Sequence, residues 1–167
     1  RGVSESQLAM ALPGLLKPNF EQLNIALELL EKCLLEDKQI LIVGDFDADG
    51  ATASAVAIKA LRLMGAKHVD FLVPNRFKHG YGLSPEIVNE AKRDKEPDLI
   101  ITVDNGISSN EGAELARSLN IDVIITDHHL PPNELPNANA IINPNIRGCD
   151  FPSKNLAGVG VCFYLFS

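Results

Sequence analysis

Three short stretches hold the residues best able to do chemistry: Asp45-Phe46-Asp47-Ala48-Asp49-Gly50, Asp104-Asn105-Gly106 and Asp127-His128-His129. Each follows directly on an apolar run. Gathered in one place, four or five carboxylates repel one another strongly, and a bound cation or shared protons must relieve that repulsion. A cation is the better resolution here. Oxygen ligands with one or two imidazoles suit Mn²⁺ or Mg²⁺, whereas structural zinc would want thiolates that these stretches lack. More than four candidate ligands point to two ions, with Asp104 shared between them.

Simpler readings cover less. The run from Asp45 to Gly50 opens like an EF-hand loop, but Val56 stands at the twelfth position, where a bidentate glutamate is required. An aspartate between strand and helix is a common cap, which explains Asp49 or Asp104 singly and not all three clusters. His128 and His129 could form a hydrogen-bonded turn pair, yet an aspartate before them and two acidic strand ends opposite favour metal binding. His68 opens an apolar run and reads as structural. The loop from Pro74 to Gly82 carries Arg76, Lys78 and His79 among glycines, which favours phosphate contact over a merely charged surface loop. Gly158-Val159-Gly160 either presents backbone N–H groups to an anion or permits tight helix packing, and the sequence leaves both open.

These clusters need elements to position them. Apolar Leu23, Ala26, Leu27, Leu30 and Leu34 recur at helical spacing and predict a helix over 21–36. The period then changes. Residues 40–43, 69–73, 99–103, 123–126 and 140–142 are short, β-rich apolar runs and predict five strands. Between them, Val56, Ala57, Ala60, Leu61 and Met64 make a helical face that ends at Gly65. Ser84-Pro85-Glu86 opens a second intervening helix, and a capping box from Ser108 to Glu111 opens a third. Strands and helices in alternation predict an α/β fold: a five-stranded, mainly parallel sheet with helices on both faces, preceded by an N-terminal helix. In such a sheet ligands bind beyond the carboxyl ends of the strands, where all three clusters fall.

At 167 residues the chain fits one domain. With 46% hydrophobic and 22% charged residues, and no apolar run near the ~18 residues that span a bilayer, it reads as neither disordered nor membrane-embedded. Residues 1–11 lack signal-peptide features, which makes the cytoplasm the expected compartment. Cys33, Cys149 and Cys162 have no CxxC spacing and read as ordinary thiols. A net charge of -7 argues against holding nucleic acid by a basic surface alone. Bound divalent cations or a basic region elsewhere would have to supply positive charge.

In this order, Asp45 to Gly50, Val103-Asp104-Asn105-Gly106 and Asp127-His128-His129 resemble the DHH phosphoesterase superfamily, named for the last motif. Val73-Pro74-Asn75-Arg76-Phe77, Gly80-Tyr81-Gly82-Leu83-Ser84-Pro85-Glu86, Ile142-Asn143-Pro144-Asn145 and Leu156-Ala157-Gly158-Val159-Gly160-Val161 are similar to its bacterial exonucleases. The resemblance runs over about residues 39–165, with a weaker lead-in over 1–38. It implies a Rossmann-like catalytic domain over 39–167 that continues past this chain, and a 5′ to 3′ exonuclease degrading single-stranded DNA in recombination and repair with Mn²⁺ or Mg²⁺. It also implies Asp47, Asp49 and His128 as ligands, Asp104 as the bridge, and His129 at the second ion or the scissile phosphate. Asp45 and Asp127 would stand behind the ligands or at the rim, and Arg76, His79, Asn105, Gly158 and Gly160 on the substrate side. Some members carry a histidine where Val43 stands, and the family's further carboxylate ligand would lie beyond Ser167. These 167 residues by themselves are therefore expected to fold, as a monomer, with little nuclease activity. A small-molecule phosphoesterase of the superfamily, acting on pyrophosphate, cyclic dinucleotides or short oligonucleotides, is the alternative enzyme. A non-catalytic metal-binding module is the alternative of another class.

Overall fold

A computed structural model describes residues 14–75 and 80–167. Its described residues form α1 (Leu23–Leu35), β1 (Ile40–Gly44), α2 (Ala48–Leu63), β2 (Val69–Leu72), α3 (Pro85–Asp94), β3 (Leu99–Val103), α4 (Asn110–Ser118), β4 (Asp122–Thr126), β5 (Ala140–Ile142) and α5 (Gly158–Leu165). The five strands stand in the order β2-β1-β3-β4-β5 and every pairing is parallel. The expected α/β sheet is thus present, with no antiparallel strand among the described residues.

Successive strand residues face opposite sides, and the core divides accordingly. Ile40, Ile42, Leu99, Ile101 and Ile124 pack with α1, α2 and α5 on one face. Leu41, Val43, Ile100, Val123 and Ile125 pack with α3 and α4 on the other. Both faces are covered, which is why β1 and β3 are apolar without alternation.

Helix ends follow their local chemistry, with two corrections. Gly65, at φ 94°, closes α2: its N–H donates to the Arg62 carbonyl and that of Ala66 to the Leu61 carbonyl, the paired bonds that a left-handed residue after a helix makes available. Ser84 caps α3, its hydroxyl accepting from Ile87 N–H. The predicted capping box is not formed. The cap of α4 is Ser109, one residue later than expected, and its hydroxyl accepts from Leu83 N–H in the preceding loop instead. On α1 the buried stripe is Leu23, Ala26, Leu30 and Cys33, while Leu27 is exposed, because the helix is rotated to place Cys33 against the sheet.

Candidate metal centre

Strand order decides where a site can form. The chain leaves β1 into α2 on one face and leaves β3 into α4 on the other, so the carboxyl ends of these neighbouring strands are not bridged by a shared connection and a crevice opens between them. Asp45 and Asp47 follow β1, Asp104 follows β3, and the Asp127-His128-His129 turn follows β4.

Each turn is locally fixed. Asp47 caps α2, accepting from Gly50 N–H at 2.9 Å, and Asp45 Oδ1 accepts from Phe46 N–H at 2.7 Å. Asp104 sits in the left-handed region at φ 63°, a conformation that Asp tolerates better than most side chains, and its N–H is tied to the Thr126 carbonyl. Asp127 is fully buried. Its Oδ1 accepts from the N–H groups of His128 and His129 and lies 2.7 Å from His129 Nδ1, while its Oδ2 accepts from Ile107 N–H. That partner fixes the proton of His129 on Nδ1 and leaves Nε2 for an ion. The DHH turn is also held from behind: Asn143 and Asn145 donate from their side-chain amides to the carbonyls of His129 and His128.

Two groups of potential ligand atoms result, each gathered within 4.8 Å: Asp45, Asp47 and Asp104, and Asp104, His128 and His129. Asp104 belongs to both. Only 1% of its surface is exposed, and its Oδ1 has no hydrogen-bond partner; His128 Nε2 lies 3.1 Å away without hydrogen-bond alignment. Burial, then the charges of Asp49 and Asp47, push the Asp104 carboxyl up to about 7. Burial alone would lower the His129 imidazole, but the Asp127 hydrogen bond and the charges of Asp127, Asp104 and Asp45 raise it overall. An orphaned buried carboxylate oxygen among crowded acids and imidazoles is what a hard divalent cation would satisfy, so the donor set fits Mn²⁺ or Mg²⁺.

Some residues stand elsewhere than expected. Asp45, expected behind the ligands or at the rim, is buried and lies within the first group of potential ligand atoms. Asp49 lies beside the cluster, 3.8 Å from His128 Nε2, with both carboxylate oxygens accepting N–H bonds from Gly158 and Val159. Those N–H groups are therefore committed to Asp49 rather than presented to a substrate anion, and Gly160 N–H bonds to the Ala157 carbonyl. Asn105, expected on the substrate side, is fully buried, its amide donating to the carbonyls of Val43 and Val103 and so stapling β1 to β3. Val43 lies in the core. Arg76 and His79 lie outside the described residues. Tyr81 was missed: its ring meets His129 edge-on, and its hydroxyl is 3.4 and 3.5 Å from the two imidazole nitrogens. Only the two flanking glycines hinted that this side chain is deliberately presented.

The model of the DHH family, N-terminal domain, matches residues 39–167. The chain belongs to the DHH family. Within it, the chain is 55% identical over 169 residues to the single-stranded-DNA-specific exonuclease RecJ of Escherichia coli (strain K12), covering 99% of this chain and 29% of that protein. It spans less than a third of the length of that relative. Among solved DHH structures, exonuclease RecJ bound to manganese aligns with TM-score 0.79 and 36% identity over 91% of this chain and 38% of its own. RecJ of Thermus thermophilus in complex with Mn²⁺ aligns with TM-score 0.76 and 32% identity over 91% of this chain and 21% of its own.

Proposed function

We propose that this chain is the metal-holding part of an exonuclease that hydrolyses phosphodiester bonds of single-stranded DNA from the 5′ end, in recombination and repair. The observation that carries the reading is the pair of overlapping ligand groups sharing the buried Asp104. The similarity to RecJ, a single-stranded-DNA-specific exonuclease two of whose solved structures hold manganese, supports it.

Asp45, Asp47 and Asp104 would hold one Mn²⁺ or Mg²⁺, and Asp104, His128 and His129 the other. Bound there, the ions supply positive charge to the phosphoryl oxygens and lower the pKa of a water. Asp104 orients both ligand groups at once, since any rotation of its carboxylate moves both. Asp127 holds the proton on His129 Nδ1 and keeps Nε2 aimed outward. Asp49 joins the ligands through a remaining lone pair, because each carboxylate oxygen can accept beyond the one N–H bond it receives from α5. Tyr81 caps the His129 ring at the solvent side, where a phosphate would approach. Sequence-independent cleavage is expected, since no motif in the sequence suggests base-edge readout.

Arg76 and His79 are retained as proposed phosphate contacts. The cytoplasm is the proposed compartment: among the described residues no helix is long and apolar enough to cross a membrane. A monomer acting on single-stranded DNA is the proposed working form.

The test uses the full-length protein with Mn²⁺, offering 5′-labelled single strands, duplex DNA, pyrophosphate and short oligonucleotides in parallel. Release of nucleotides from long single strands, abolished by Asp104→Ala, is the expected result. Faster turnover of the small phosphates would replace the exonuclease reading with the small-molecule one, and full biological activity of Asp104→Ala would leave only a non-catalytic metal module.

A further inference from the structure

The first turn of α5 meets the metal centre at two points. Gly158 N–H and Val159 N–H each donate at 2.8 Å to one carboxylate oxygen of Asp49, across 109 and 110 positions of sequence. On its other side the Gly158 backbone lies against Asp104. A Cβ at Gly158 would stand 2.6 Å from Asp104 Cγ and 2.7 Å from its Cβ, and closer still to Oδ1. The same addition at Gly65, Gly80 or Gly148 meets open space, and at Gly160 it meets the end of the Leu156 side chain.

We propose that Gly158 is a positioning residue of the metal centre: its missing side chain lets α5 lie on Asp104 without turning the carboxylate, while its N–H helps fix Asp49. The inference rests on the metal-binding reading of this site and says which part of the fold sets its geometry.

Neither partner yields without cost. Asp104 is buried, its backbone is held in the left-handed region by the bond to Thr126, and its Oδ1 faces His128. Helix α5 cannot withdraw without breaking both bonds to Asp49 and lifting Val161, Cys162 and Leu165 out of the core. Rotation of the Asp104 side chain relieves only the contacts with its carboxylate, since its Cβ is fixed to the backbone; a methyl group at Gly158 therefore has to displace Asp104 as a whole, and both ligand groups lose alignment on their common member. The helix contributes electrostatically as well, since its N-terminal partial positive charge favours the Asp49 anion placed there.

Binding of Mn²⁺ to the full-length protein, followed by calorimetric titration without nucleic acid, tests this. Gly158→Ala should weaken binding by about tenfold or more, the range seen when groups that orient metal ligands are lost. Val161→Ala, which loosens the packing of the same helix, should leave the affinity unchanged. Native affinity in Gly158→Ala, or equal losses in the two variants, overturns the proposal. A metal-free melting cycle covers the case in which Gly158→Ala folds poorly: the substitution should lower the melting temperature in the native background and not in an Asp104→Gly background, where the obstructing side chain is gone. Equal losses in the two backgrounds overturn it. If the unsubstituted protein binds no Mn²⁺, the metal reading fails, while the melting cycle still decides whether Gly158 acts through Asp104.

Discussion

Asp104 concentrates the chemistry of this site in one carboxylate that is buried, conformationally constrained and without a hydrogen bond on Oδ1. Its pKa of about 7 in the folded chain stands above the ordinary 3.8, because burial and two neighbouring aspartates disfavour the charged form. Below about pH 4 the folded and unfolded forms both hold the proton. Between about 4 and 7 the folded form holds a proton that the unfolded form has lost, so stability from this group falls as pH rises, and the full cost is present above 7. Asp104→Asn removes the charge and keeps a residue that tolerates positive φ. In EDTA this variant should therefore melt higher than the native chain at pH 8 and no higher at pH 4, as read by calorimetry. A variant that melts lower at pH 8 would show that Asp104 is not the strained acid described here.

At the scale of elements, the site depends on tethers between segments far apart in sequence. Asn143 and Asn145, just past β5, hold the two histidine carbonyls, and Asn105 joins β1 to β3 beneath the crevice. The outer edge of β5 is managed in the same way: Gln22, at the start of α1, accepts from Ile141 N–H at 2.7 Å. A bare strand edge would leave that donor unsatisfied in a largely buried position. Gln22→Ala should lower stability by about 1–3 kcal/mol, the cost of an orphaned buried donor, and Gln22→Glu should retain most of it. Urea unfolding of the three proteins checks this, and an unchanged midpoint in Gln22→Ala would mean that water replaces the amide.

Across the whole molecule, a formal charge of -7 and a crevice of aspartates would oppose a polyanion, so cations are required before such a substrate can approach. Cation binding to the folded chain alone must also stabilise it by mass action. Mn²⁺ at about 100 times its dissociation constant should add about 2.7 kcal/mol, seen as a rise in melting temperature that EDTA reverses. The rise should be larger at pH 8 than at pH 5, since Asp104 must release its proton to serve as a ligand. An equal rise in Asp104→Ala would place the ions elsewhere.

The sequence alone determined the five strands, the parallel α/β class and the three clusters at strand ends, because hydrophobic period and the residues just after each apolar run are local properties. It also suggested two ions with Asp104 shared between them, from the number of candidate ligands in the three clusters. The tertiary structure alone decided the strand order that puts β1 beside β3, and so which acids face one another. It brought Asp45 into a group of potential ligand atoms, set both oxygens of Asp49 on α5, buried Asn105 and brought Tyr81 against His129. Those outcomes turn on contacts between segments tens to more than a hundred residues apart, where spacing along the chain carries no information about distance in space. Gly158 shows this most directly: as a letter in the sequence it allowed an anion site or close packing, and only the position of Asp104 beneath it chose between them.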